Sequence, residues 1–184
     1  KENYRRLCGK DCASFDHNGV RFVLLDDTML LQHYGHFDKR QMDKLKGELD
    51  TLAPGQPAVI AMHHPPMSEG HYIDNEYDFA ELIRPYNVPL VCDGHGHTLQ
   101  KYSYNGVTYA MGGTAYGMPA EKGKDKEKPS GKIYRAYRVT SEKIDLVERD
   151  IWRNTIRVHG SVPVQRKEGR FAPVALRPPE PSEA

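Results

Sequence analysis

The first apolar segments of the chain predict a β-hairpin over residues 13–28. Apolar side chains run almost without a break from Val20 to Leu25, which is typical of a strand that is buried on both faces. The dipeptide Asn18-Gly19 stands just before this run and favours a tight two-residue turn. The strand ends in Asp26-Asp27-Thr28, so polar side chains lie at its carboxyl end.

Helical periodicity replaces the strand pattern further along the chain. Asp38 followed by Gln41 resembles a capping box, and Pro54-Gly55 is a stop signal, so a helix is predicted over residues 38–53. Its core-facing stripe consists of Met42, Leu45, Leu49 and Leu52. A second helix is predicted from Glu76 to Pro85.

Short apolar strands separate and follow these helices. Residues 58–62 and 88–92 form two of them, and Asn105-Gly106 marks the turn of a later hairpin. Residues 133–139 and 143–150 look like a final antiparallel pair. This order of elements predicts an α/β fold, a layered sandwich with a mixed sheet, in a domain over residues 1–152.

Composition sets limits on the remaining sequence and on partners. Residues 153–184 are rich in proline and charge, which predicts a tail that is disordered or lies on the surface. No apolar run approaches the ~20 residues of a membrane-spanning helix. The net charge is +1, which argues against a nucleic-acid partner.

Two histidine motifs follow consecutive predicted strands. His63-His64-Pro65-Pro66 comes after the strand over 58–62, and Gly94-His95-Gly96-His97 comes after the strand over 88–92. Ligands in open α/β sheets collect beyond the carboxyl ends of strands, and imidazole is a common ligand of divalent metals. If His-x-His is extended, its two rings point the same way. The sequence therefore predicts a metal site.

The two motifs, separated by a helix and a strand, resemble the last two metal-binding motifs of the calcineurin-like metallophosphoesterases. The stretch from Tyr4 to Thr28 also resembles the segment that comes after the Gly-Asn-His-Asp motif in that family. The resemblance covers residues 3–150. It implies the C-terminal half of the family's αββα fold and a metal-dependent phosphoester hydrolase.

The resemblance also implies roles for individual residues. His63 and His95 would bind one metal and His97 the other. His64 would contact substrate or support the site, and Asp93 would orient a histidine from the second coordination shell.

The family's Asp-x-His, Gly-Asp and Gly-Asn-His motifs do not occur upstream of these motifs in the sequence. The resemblance implies two divalent ions (zinc, manganese or iron), but we expect this chain to hold at most one, weakly, and to be inactive alone. The other ligands would come from an N-terminal half or a partner chain. The substrate class would be a small phosphomonoester or phosphodiester.

Two alternatives remain open at this point. One is a truncated or degenerate phosphoesterase fold that binds metal or a partner without catalysis. The other is a single-zinc protein that is unrelated to phosphoesterases, which metal stoichiometry would distinguish from a two-metal enzyme.

Overall fold

A computed structural model of the chain describes residues 2–10, 12–114, 132–151 and 153–164. Three helices and nine strands lie in this described part. The helices are α1 (Glu2–Cys8), α2 (Lys39–Asp50) and α3 (Glu76–Ile83). The strands are β1 (Ala13–His17), β2 (Val20–Leu24), β3 (Ala58–Ala61), β4 (Leu90–Asp93), β5 (Lys101–Tyr104), β6 (Val107–Met111), β7 (Ile133–Val139), β8 (Lys143–Asp150) and β9 (Thr155–Pro163).

The larger sheet is mixed, as the sequence predicts, and has the order β1-β2-β3-β4-β6-β5. Its four inner strands are parallel, and the hairpin strands β1 and β5 pair antiparallel at the two edges. Both hairpin turns use an Asn-Gly pair with positive φ, at Asn18-Gly19 and Asn105-Gly106. These turns match the right-handed twist of the strands they connect.

Helices cover one face of this sheet. The capping box predicted for α2 is present: the Asp38 carboxylate accepts from the Gln41 backbone N–H, and the Gln41 side chain accepts from the Asp38 N–H. Leu45 and Leu49 of this helix are fully buried against the sheet, and Phe79 of α3 joins them. The predicted helices are therefore confirmed, although α3 ends two residues earlier than expected.

The second face of the sheet packs against a smaller antiparallel sheet of β7, β8 and β9. Val59 and Leu90 point from the large sheet toward Ile144 and Leu146 of the small one, and together they form a second core cluster. Alternate residues of one strand thus serve two cores, because side chains alternate across a strand. The layers are helix, sheet and sheet, which confirms the predicted α/β sandwich.

The start of the predicted tail differs from the expectation. Residues 155–163 form β9, which pairs with β8 over most of its length. Ile156, Val158 and Val162 of this strand alternate with more polar positions, but only Val162 is buried. Residues 165–184 of the predicted tail lie outside the described residues.

None of the described helices has both the length and the apolar composition needed to cross a membrane.

The strand register determines where the polar ends of the parallel strands lie. Leu24 pairs with Ala61, and Ala61 pairs with Cys92, so β2, β3 and β4 end at the same edge of the sheet. The residues that follow these three strands are therefore brought together.

Candidate metal centre

Three imidazoles converge at this edge of the sheet. One ring nitrogen from each of His63, His64 and His95 lies within 4.8 Å of the others. His63 Nε2 is 3.3 Å from His95 Nδ1, and the centroids of the His64 and His95 rings are 4.6 Å apart. This spacing is suitable for three ligand atoms around one cation, so the group could hold a metal ion.

The two motifs are tied together through their backbones. The Gly94 N–H donates to the His63 carbonyl at 2.9 Å, across the gap between β3 and β4. A Cβ added at Gly94 would lie 3.5 Å from that carbonyl oxygen, which is an ordinary contact. The short inter-motif bond holds His95 beside His63.

Asp27, at the end of β2, holds the His63-His64 turn in place. Its Oδ1 accepts from the His63 backbone N–H at 3.0 Å, and its Oδ2 accepts from the His64 N–H at 2.7 Å. The same Oδ2 is 3.0 Å from His64 Nδ1. A carboxylate can only accept, so Nδ1 carries the proton and the Nε2 lone pair is left for a ligand.

The sequence analysis did not assign Asp27 to the site. The available signal was its position: Asp26-Asp27 follows a buried strand, as both histidine motifs do. Asp27 is completely buried, as expected for a carboxylate whose oxygens are used by three N–H donors.

Gly35 packs directly against this pair. A Cβ at Gly35 would lie 2.8 Å from the Asp27 carbonyl oxygen and 2.9 Å from His64 Nδ1. Both distances are shorter than real Cβ contacts allow, so any side chain at this position would displace the pair.

The environment lowers the pKa of two of the imidazoles, His63 and His95. Removal from water lowers the pKa of His63 and of His95, and the neighbouring rings lower each of them further. An imidazole with a pKa below its ordinary 6.5 is unprotonated at neutral pH and can donate a lone pair to a metal. These imidazole donors therefore fit a borderline divalent cation such as zinc or iron.

His97 lies outside the group of three. The backbone of His95-Gly96-His97 does not have the extended conformation that would point both rings the same way, because φ is +63° at His95 and +58° at His97. Left-handed conformations at both positions bend the backbone, so the two rings are not equivalent. His97 is exposed, and its ring contributes to lowering the pKa of His63 and of His95.

Asp93 is buried, and neither of its carboxylate oxygens has a hydrogen-bond partner among the described residues. Burial raises the pKa of this carboxyl to about 7, against the opposing influence of the Arg135 guanidinium and the Tyr102 hydroxyl. The sequence predicts that Asp93 orients a histidine. In the structure Asp27 is the carboxylate that accepts a hydrogen bond from a site histidine, His64.

The described residues thus form a layered α/β domain with three imidazoles at the carboxyl ends of parallel strands, a group that could hold a metal ion. No protein-family model matches the chain. A 3′,5′-cyclic-nucleotide phosphodiesterase of Nostoc sp. is 33% identical over 103 residues, covering 52% of this chain and 38% of that protein. A Rhodococcus erythropolis protein named "Probable cyclic nucleotide phosphodiesterase" is 26% identical over 117 residues, covering 57% and 38%. The chain thus spans less than half the length of these curated relatives.

The fold comparison agrees with the sequence comparison. Purple acid phosphatase PPD1 from yellow lupin seeds superposes with a TM-score of 0.58 at 15% identity, covering 83% of this chain and 32% of that one. The Plasmodium protein GAP50 has a TM-score of 0.58 at 14% identity, covering 85% and 54%. The chain is thus similar in sequence to cyclic nucleotide phosphodiesterases and in fold to a purple acid phosphatase, which agrees with the resemblance of its histidine motifs to calcineurin-like metallophosphoesterases.

Proposed function

We propose that the protein hydrolyses a phosphoester with the help of divalent metal ions bound at the His63-His64-His95 group. The observation that supports this most strongly is the convergence of these three rings at the carboxyl edge of the sheet. The names of the curated relatives favour a phosphodiester over a phosphomonoester as substrate.

In this proposal each histidine has a distinct role. His63 and His95 hold one cation, and His97 contributes to a second. A bound divalent cation supplies Lewis-acid stabilisation of phosphoryl oxygens and a water nucleophile at neutral pH. His64, with its Nδ1 held by Asp27, directs Nε2 at the same region and contacts either the first cation or a phosphoryl oxygen.

A two-metal centre needs more ligands than this group contains. Two cations close together repel strongly unless carboxylates lie between them. Among the described residues, the His63-His64-His95 group alone meets the geometric requirement for a metal ligand set, and it contains no carboxylate. We propose that the remaining ligands come from sequence outside this chain, in the same polypeptide or in a partner.

The test is an assay of bis(4-nitrophenyl) phosphate with manganese. The isolated chain should show no turnover above the metal alone, whereas the chain supplied with the remaining ligands, in one polypeptide or from a partner, should hydrolyse the diester and lose activity in a His63→Ala variant. Metal-dependent turnover by the isolated chain would contradict the divided ligand set. A longer polypeptide that binds two metals without turnover would contradict hydrolysis.

The non-catalytic alternative is favoured by one observation, the lack of a carboxylate in the described ligand group. In that case the fold would serve as a metal-binding or interaction module. Zinc binding by the longer polypeptide without any hydrolysis of mono- or diesters would support it.

A further inference from the structure

A cavity of about 730 Å³ opens beside the three imidazoles. Tyr72 connects the two, because its ring lines the cavity and also contacts the His95 ring, with centroids 4.9 Å apart. Gly96, between His95 and His97, lines the cavity as well. This volume lies within the range of about 300–1,000 Å³ that is usual for small-molecule sites.

The charge of the cavity wall excludes a second phosphate site. Glu69 is the one charged side chain among the described lining residues, and its carboxylate repels an anion. The wall otherwise combines apolar surface from Met67 and Met111 with neutral hydrogen-bonding groups such as Thr98. A phosphoryl group is therefore favoured at the imidazoles and an uncharged organic group in the cavity.

Two glycines fix the shape of this wall. A Cβ at Gly70 would lie 2.2 Å from Cε2 of Tyr72, so the Tyr72 ring occupies the place of a side chain at position 70. A Cβ at Gly96 would lie 2.6 Å from the Met111 sulfur. Replacing either glycine would push a wall residue out of position.

The Tyr102 side of the cavity is also held rigidly. The Tyr102 hydroxyl donates to the Pro66 carbonyl at 2.7 Å, and its ring stacks on Tyr109 with a centroid distance of 5.1 Å. Tyr72 and Tyr102 are therefore two aromatic side chains of defined position in the cavity wall. Such surfaces favour flat ligands, since stacking depends on ring geometry.

We propose that this cavity is the specificity pocket of the enzyme and that it holds an uncharged planar ring of the phosphoester. The ring lies against Tyr72 and its polar edge bonds to neutral groups such as Thr98, while the phosphoryl end reaches the imidazoles. This inference rests on the proposed function, because it assigns the two ends of one substrate to the two neighbouring regions.

The test compares two phosphonates, which cannot be hydrolysed at their P–C bond, by calorimetry on the zinc-loaded chain. Phenylphosphonate carries a ring, whereas methylphosphonate offers the same anionic group without one. Phenylphosphonate should bind about tenfold more tightly, as expected for one aromatic stacking contact. A Tyr72→Ala variant should lose that advantage.

Thr98→Val is a second, milder variant. Its test ligand is 4-carbamoylphenylphosphonate, because the amide of this compound can form a hydrogen bond with the Thr98 hydroxyl. Its affinity should fall severalfold in Thr98→Val. Tyr134→Ala, at an exposed tyrosine of β7, is the matched control and should bind every ligand as the parent does. Circular dichroism verifies that each variant is folded.

The outcomes separate the two proposals. Equal affinity for the phenyl and methyl compounds, unchanged in Tyr72→Ala, would overturn the pocket and leave the metal site standing. Binding of neither phosphonate by the zinc-loaded protein, once its remaining ligands are supplied, would contradict the proposed function, and the pocket with it.

Discussion

The carboxylate of Asp27 and the imidazole of His64 form a buried pair, with Oδ2 3.0 Å from Nδ1. The same oxygen accepts from the His64 backbone N–H at 2.7 Å, so one residue fixes both the main chain and the ring. The pair connects the end of β2 to the turn after β3. It therefore couples the packing of the sheet to the direction of a candidate metal ligand.

Replacing Asp27 by asparagine tests this coupling. An asparagine side chain has one acceptor oxygen in place of two, and its NH₂ group would face the N–H donors that now bond to Asp27. We therefore expect the His64 ring to lose its fixed orientation. Zinc affinity should fall by about 10- to 100-fold, the usual effect of removing a partner that orients a ligand. Isothermal titration with zinc measures it.

Asp26→Asn is the matched control, because Asp26 is the neighbouring carboxylate and bonds to Thr28 rather than to a histidine. Its zinc affinity should stay close to that of the parent chain. An Asp27→Asn variant that binds zinc normally would show that Asp27 supports only the backbone.

His95 and His97 should differ in their contribution to zinc binding by this chain. His95 belongs to the group within 4.8 Å, whereas His97 lies outside it. We expect His95→Ala to lower zinc affinity by at least tenfold and His97→Ala to lower it much less. His17→Ala serves as a control at an exposed histidine. Equal losses for the His95 and His97 variants would contradict the grouping.

Local sequence signals predicted much of the fold. The Asn-Gly turns and the Asp38–Gln41 capping box depend on neighbouring residues, and both are confirmed. The position of His97 outside the group of three could not be predicted, because it depends on the positive φ values of His95 and His97 in the loop after β4. Likewise, the role of Asp27 depends on a partner 37 residues away, which no local pattern indicates.

Gly35→Ala should damage both stability and metal binding. The added Cβ would overlap the Asp27 carbonyl oxygen and His64 Nδ1, and overpacking of this kind costs about 1–3 kcal/mol of unfolding free energy. Urea denaturation and zinc titration measure the two effects. Zinc affinity should fall because His64 is displaced.

Gly47→Ala is the matched control for this substitution. A Cβ at Gly47, within α2, meets nothing within 4 Å, and alanine favours a helix by about 0.5–1 kcal/mol over glycine. This variant should be more stable than the parent and bind zinc equally well. If Gly35→Ala behaved in the same way, the packing described around His64 would be wrong.

The stability of the smaller sheet, formed by β7, β8 and β9, should depend on pH because of Asp145. Its Oδ1 accepts from the Ser161 hydroxyl at 2.6 Å and from Lys143 Nζ at 2.9 Å. The Ser161 and Lys143 bonds lower the pKa of Asp145 below the ordinary value of 3.8. A carboxyl group with a lowered pKa stabilises the folded state at pH values above its pKa in the unfolded chain. This stabilisation is lost as the pH falls through its pKa in the folded protein.

Asp145→Asn should therefore be less stable than the parent at pH 7, and the difference should narrow as the pH is lowered from 5 toward 3. Urea denaturation at several pH values measures it. A difference that is constant over this range, or that grows at low pH, would contradict an ionised Asp145 in this sheet.

X-ray absorption by the chain loaded with one equivalent of zinc tests whether His63 and His95 bind the metal. We expect a first shell of nitrogen and oxygen at about 2.0–2.1 Å, with the outer-shell scattering of at least two imidazoles, and loss of that scattering in a His63→Ala, His95→Ala double variant. A sulfur shell at about 2.3 Å, or an unchanged spectrum in the double variant, would contradict it.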